Sequence, residues 1–333
     1  MGNAYPKKQW FVEKNPRTQD YSISGNRALI SGKNMLDFIK SFFNPVRITI
    51  PYLLDIIIVS DPRQIRKIET SGDVNRLHTY DTASLPWWVK IYFRATKFHD
   101  DQRDLWFCPF EPTSNPTYQS RRTYLEEKVA IGYSQADVRR IAQLLNTNAD
   151  DQTLAHEMVQ IVNRRFFESE IPLTITKSAK DTLQNFSEAI LPWNYLRAVQ
   201  SQQKIMNYCQ RTLPQGVHIL DAGHNIGEVV QTTAGALRTL KDNLEKPVAE
   251  IFTSHPLTPQ VPRIATRSSN FDGLLSYPTS AGQTVVIFKI GEAAAETHDI
   301  SFTFGTGREE RACVFQEFFM NFMNDLQQEL KGQ

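Results

Sequence analysis

Cysteine is scarce: only Cys108, Cys209 and Cys313 occur in 333 residues. Three widely spaced thiols exclude a disulfide framework and a C-x-x-C zinc site, and they fit a reducing compartment. Glycine (15) and proline (17) are too few for a collagen-like or low-complexity chain. No charge sign dominates, because 37 Lys and Arg face 36 Asp and Glu for a net charge of +1. Nucleic-acid binding driven by bulk positive charge is therefore not expected. No apolar run is long either. The longest, Ile48 to Val59, is broken by Pro51 and Asp55 and falls short of the ~20 residues that span a bilayer. The opening M-G-N-A-Y-P-K-K-Q-W has no apolar signal core, and Pro6 spoils a myristoylation pattern. A cytoplasmic protein without a membrane span is expected. What is present in quantity is apolar surface: 41% hydrophobic residues, with 20 Phe, 11 Tyr and 5 Trp, enough to bury a real core.

No repeat or long linker divides the chain. Val46–Ile50 and Asp55–Ser60 flank Pro51-Tyr52-Leu53-Leu54 and predict a strand pair. Asp61 before Pro62 predicts a capped helix directly afterwards. Residues 73–117 read as irregular and aromatic, including the pair Trp87-Trp88, which suits a partner patch, a pocket wall or plain core. Residues 118–208 read mostly as helix, with Leu154, Met158, Ile161, Val162 and Phe166 at three- and four-residue steps. A second stripe, Ile226, Val229, Val230, Thr233, Leu237, Leu240 and Leu244, predicts a helix of about five turns. Val285–Ile290 and Ile300–Phe304 read as strands, and 315–330 as an amphipathic helix. The expected class is α+β, predominantly helical, with a minor β-sheet drawn from both ends of the chain.

The segment richest in chemistry is Phe304-Gly305-Thr306-Gly307-Arg308-Glu309-Glu310-Arg311-Ala312-Cys313, which leads into the last helix. Glycines allow a tight turn, and a thiol at a helix N-terminus meets the positive end of the backbone dipole, with Arg308 and Arg311 adding charge. Such a thiolate serves as a nucleophile, a redox centre or a metal ligand. A metal-bound thiolate with no second Cys or His nearby suggests haem, which takes one protein ligand on a face. The plain alternative is a buried cysteine acting as a small hydrophobe.

F-G-T-G-R-E-E-R-A-C resembles the cysteine loop of the cytochrome P-450 superfamily, with Phe304, Gly307, a basic residue (Arg311) and the haem-ligating Cys313 in that order. Other segments follow collinearly. Asp55–Ile68 resembles the family's second strand and following helix, and Tyr118-x-x-x-Arg122 its Trp/His-x-x-x-Arg. Gln231-Thr232-Thr233 resembles the acid-Thr-Thr of the central helix. Glu250-Ile251-Phe252-Thr253 stands at Glu-x-x-Arg, and Pro259–Arg263 through Val285 resembles the downstream Pro-rich stretch. Departures are as definite: Gln231 replaces the acid, Thr253 replaces the arginine, two extra residues separate Gly307 from Cys313, and Val314-Phe315 follows the cysteine.

The resemblance implies residues 1–45 as an N-terminal segment and 46–333 as one P-450-like haem domain. It further implies haem b with iron on Cys313, propionates bound by Arg122 and Arg263, an apolar small substrate and a redox partner protein. Guanidinium groups suit propionates because they make paired, charge-assisted hydrogen bonds. Thr232 and Gln231 take the positions where the family delivers protons, whereas periodicity alone puts Thr233 on the packed stripe. A glutamine cannot give up a titrating proton. Two activities follow: a haem-thiolate oxidoreductase, driven by peroxide or otherwise atypical, or a haem-free binding or helper protein of the same fold.

Two further motifs are weaker. Ile219-Leu220-Asp221-Ala222-Gly223-His224-Asn225-Ile226-Gly227 imitates the loop of a nucleotide-type methyltransferase, but Asn225 breaks the pattern. His99-Asp100-Asp101 with Asp104 reads as a solvated acidic turn rather than a metal site.

Overall fold

The computed structural model describes residues 12–14, 21–23, 45–50, 54–76, 99–100, 105–106, 116–164, 170–187, 192–213, 219–275, 277–304 and 312–332. Trp87, Trp88, Asp101, Asp104, Cys108 and the segment 305–311 lie outside them. Short strands β1 (Val12–Lys14) and β2 (Tyr21–Ile23) pair antiparallel. The main sheet begins with β3 (Val46–Ile50) and β4 (Leu54–Val59), whose β-branched runs pair antiparallel with Val46 opposite Ile58. Asp61 caps the next helix, α1 (Pro62–Ser71), by accepting from the Gln64 N–H, and Gly72 ends it in the left-handed region. The expected strand pair and capped helix are both present.

Strand β5 (Val74–Arg76) follows, then the two-residue pair β6 (His99–Asp100) and β7 (Leu105–Trp106). The helical half comprises α2 (Pro116–Ala130), α3 (Gln135–Asn146), α4 (Asp151–Asn163), α5 (Leu173–Ser187), α6 (Pro192–Thr212), α7 (Ile219–Asp242) and α8 (Val248–Ser254). Strands β8 (Val261–Ala265) and β9 (Thr284–Phe288), helix α9 (Ile290–Thr297), a 3-10 turn (Ile300–Phe304) and helix α10 (Gln316–Lys331) complete the chain.

The five-stranded sheet has the order β3-β4-β9-β8-β5. Only the β4–β9 pair is parallel, so strands from opposite ends of the chain lie side by side, as the composition of the two ends predicts. One face is covered by α1 and α9, burying Ile57, Val59, Ile65, Ile68, Val286, Phe288 and Phe302 in one cluster. Asp55 on β4 ties that strand to β3 and β9. Burial pushes its carboxyl up, but bidentate bonds from Arg47 and one from Thr284 outweigh this and hold it below the usual carboxylate value. Gly291 opens α9 where a side chain has no room: a β-carbon there would stand 2.7 Å from Pro256 Cγ.

The larger core lies among α3, α4, α7, α8 and α10, with Leu145, Leu154, Leu237, Phe252, Phe322 and Leu326 fully buried. Ser134 and Asp137 form a capping box at the start of α3. Tyr133 meets Phe318 and Phe322 edge-on and donates its hydroxyl to Asp325, docking α10 against α3. A second cluster joins α2, α4, α5, α6 and α7 through Leu125, Val159, Ile175, Ile205 and Ile226.

One expectation is corrected. Ile300–Phe304 is a 3-10 turn, because Asp299 accepts from the Ser301 N–H and the Thr303 hydroxyl folds back on the Ile300 carbonyl. The methyltransferase-like segment 219–227 is the first part of α7, so its glycines sit within helix and form no phosphate loop.

One polar cluster links α4 and α5. Gln160 exchanges two hydrogen bonds with the Ile171 backbone, which fixes its amide, and that amide donates to His156 Nε2 at 3.2 Å. His156 Nδ1 then carries the proton and donates to Thr176 Oγ1 at 2.9 Å. Desolvation lowers the His156 pKa, against an upward pull from Glu157 and Glu170. The unfolded chain therefore takes up a proton near 6.5 that the folded chain resists. Stability should be complete above that pH and fall as pH drops below it. Urea midpoints between neutral and mildly acidic pH test this, with a shallower decline expected in His156→Gln.

Candidate functional site

Of the sequence candidates, Phe304, Arg122 and Cys313 meet on the approach to α10. The Cys313 N–H donates to the Phe304 carbonyl at 2.7 Å, so the chain leaves the 3-10 turn and returns to it. The Cys313 carbonyl accepts from the Gln316 N–H, which starts the helix. Cys313 thus stands just ahead of α10, whose N-cap position is Phe315. The dipole effect expected from the sequence is weaker there, since it fades within a turn.

The half-buried Cys313 side chain packs on the main core, in which Phe304 meets Phe319 with ring centroids 5.6 Å apart. Val314 and Phe315 reach the second cluster, while Val229 of α7 touches both. The cysteine segment therefore sits where the two cores join.

Arg122 is brought to this point. It is half-buried on α2, and its Nη1 donates to the Ala312 carbonyl at 3.0 Å across 190 residues of sequence. Its Nε pairs with Glu126 one turn along the helix, at 2.7 Å. A guanidinium thus stands one residue from the thiol. Gly307 and Arg311 lie outside the described residues.

Arg263 goes elsewhere. On β8 it is buried and ion-paired at 2.6 Å with Glu69 of α1, which is 0% exposed. Neither carboxylate oxygen of Glu69 has an aligned hydrogen-bond donor, so this is a charge contact more than a hydrogen bond. The sequence reading missed Glu69. Its signal was a carboxylate next to Ile68 and four residues after Ile65, on the apolar stripe of α1. At the Glu-x-x-Arg position no such pair forms: Glu250 is exposed and the buried Thr253 hydroxyl donates to its carbonyl at 3.0 Å. The buried acid–arginine pair found among the described residues joins α1 to the sheet.

On α7 the burial pattern follows the periodicity. Thr233 is buried, Thr232 half-buried and Gln231 exposed. Both threonine hydroxyls donate to their own helix, Thr232 to the Glu228 carbonyl at 2.7 Å and Thr233 to that of Val229 at 2.6 Å. Among the other thiols, burial pushes Cys209 up to about 12, which leaves it an inert apolar side chain. No group of three or more His, Cys, Asp or Glu suited to a metal ion occurs among the described residues.

The helical body, the mixed sheet drawn from both chain ends and the cysteine segment ahead of α10 together form a P-450-like α+β fold. Three solved structures are similar to it. Cytochrome P-450 OleT in its ligand-free form matches 89% of this chain and 85% of its own, with a TM-score of 0.58 and 9% identity. A six-coordinated cytochrome P-450 from Thermus thermophilus matches at 0.55 and 12% identity, covering 89% of each chain. CYP175A1 from Thermus thermophilus gives 0.52 and 12% identity over 89% of this chain and 86% of its own. At these identities the likeness is one of fold. No protein-family model matches the sequence, and no curated protein matches it either.

Proposed function

We propose that this chain is a P-450-like haem-thiolate oxidoreductase acting on a small apolar organic substrate, with Cys313 as the proximal ligand of haem b. The observation that carries this is the bond from Arg122 to the Ala312 carbonyl, one residue before a half-buried cysteine in a P-450-like fold. This donor set fits haem: a single soft ligand suits the iron, and a neighbouring cation suits both the thiolate and one propionate. Haem bound there would supply the redox chemistry.

The chain's own residues do the rest. Phe304, Phe315 and Phe318 belong to the same apolar cluster as Cys313 and give the thiol a largely apolar setting. Arg122 binds a carboxylate with its guanidinium, while Arg263 takes that role only where Glu69 releases it. Gln231 has no proton to titrate, and the Thr232 hydroxyl already holds its proton on the Glu228 carbonyl. That favours an oxidant arriving already reduced, such as a peroxide, over oxygen fed by a redox partner.

A second reading, a haem-free binding or helper protein, is favoured by the Glu69–Arg263 pair, which neutralises one of the two arginines expected to meet propionates. An absorption spectrum of the purified protein, oxidised and then reduced under carbon monoxide, separates the two. If haem is held, Arg122→Ala should speed its transfer to an apo-globin acceptor. The loss of a charge-assisted contact worth about 1.5–3 kcal/mol corresponds to roughly a ten- to hundredfold weaker hold. Unchanged transfer would remove Arg122 from the site.

A further inference from the structure

Helix α6 contains neither aspartate nor glutamate in its 21 residues. Its inward stripe, including Ala198, Ile205 and Cys209, is buried in the second cluster or beside it. Its outward face is exposed from end to end and carries Trp193, Arg197, Lys204 and Arg211. At ~100° per residue these four fall within about 40° of one line along the helix. The three cations recur every seven residues, roughly 10.5 Å apart, and Trp193 to Arg211 spans about 27 Å at a rise of ~1.5 Å per residue. Leu196 flanks Trp193 on the same face, and the two are 58% and 56% exposed. Arg197, Lys204 and Arg211 form no ion pair among the described residues. The nearby acids Glu170 and Asp181 precede or lie on α5 and are not part of this face.

A straight, acid-free row of cations ending in an exposed Trp–Leu pair matches a flat surface that offers negative charge and an apolar layer together. A nucleic acid would satisfy the cations alone and leave Leu196 in water. A bilayer takes both, since tryptophan settles at the headgroup level and basic residues gain from anionic lipid. We propose that the outward face of α6 docks on anionic lipid bilayers, the helix lying in the plane of the surface with Trp193 and Leu196 at the headgroup–acyl boundary. This proposal is independent of whether haem is bound.

The test is co-sedimentation of the full chain with vesicles of phosphatidylcholine containing about 30% phosphatidylserine, and with phosphatidylcholine alone, at low and high salt. Binding is expected on the anionic vesicles at low salt and should be lost at high salt. Arg197→Ala with Lys204→Ala should weaken it about 25-fold, at roughly fivefold for each cation near the surface. Trp193→Ala with Leu196→Ser should weaken it while all three cations remain. Circular dichroism confirms that each variant keeps its helix content. No sedimentation of the wild type, equal binding of the variants, or salt-independent binding to neutral vesicles would overturn the proposal. Self-association without vesicles that Trp193→Ala abolishes would overturn it too, since a second copy would then cover the face.

Discussion

Cys313→Ala is expected to abolish the thiolate-type absorption of the haem-loaded protein, including the red-shifted band of the reduced carbon monoxide complex. The expectation follows from position. Among the described residues Cys313 is the thiol with any exposure, since Cys209 is fully buried and its pKa is raised to about 12. Its own fold cost should be small, because a half-buried thiol replaced by a methyl group loses little apolar area. Spectrum and stability are therefore separable readouts. Cys313→Ser keeps the shape, offers a poorer ligand, and should also lose the band. A wild type that never takes up haem, under conditions where circular dichroism reports a full fold, would leave the haem-free reading standing. A variant that keeps both haem content and spectrum would place the ligand elsewhere.

The parts of this fold legible in the sequence are those fixed by local rules. The strand pair and capped helix at 46–71 came from β-branched runs and an Asp-Pro start, and both are present with the expected cap. The stripe of α7 came from periodicity, which also placed Thr233 on the buried side correctly. The 3-10 turn at 300–304 was misread as a strand because its alternating Ile, Phe and Phe carry the period of one. The competing Asp299 and Thr303 side-chain bonds to the backbone are a turn signal that hydrophobic alternation hides. The segment at 219–227 only imitates a glycine loop, and its buried Ala222 and Ile226 hold it in helix.

The site itself was only half legible. That Cys313 leads into the last helix is local information. That Arg122 bonds the residue before it, while Arg263 bonds Glu69, is tertiary information that spacing does not carry. Two arginines in equivalent-looking motif positions end in different surroundings because one faces the cysteine segment and the other faces α1 across the sheet. Thr253 at the Glu-x-x-Arg position marks the same divergence, and the buried acid–arginine pair found among the described residues lies on the sheet instead.

That pair gives the largest expected stability effect. Removing one partner leaves the other charge buried without compensation, so Arg263→Ala and Glu69→Ala should each cost about 3–5 kcal/mol. Urea denaturation would register this as a large fall in midpoint, a substantial part of the roughly 5–15 kcal/mol typical of folded domains. Replacing both, as Glu69→Met with Arg263→Leu, should recover most of the loss or exceed wild type, because the apolar face formed by Ile65, Ile68 and Val286 accepts such side chains and desolvation is no longer paid twice. Additive losses in the double variant would mean that the pair does not act as a unit. Glu69→Gln bears on function as well. It removes the opposing charge but keeps the shape, so Arg263 is left cationic and in need of a carboxylate. If haem propionates compete for Arg263, this variant should lose stability without haem and regain part of it when haem is added, whereas wild type gains less. If haem gives no such recovery, Arg263 is purely a structural partner of Glu69, and Arg122 is left as the arginine that bonds the cysteine segment.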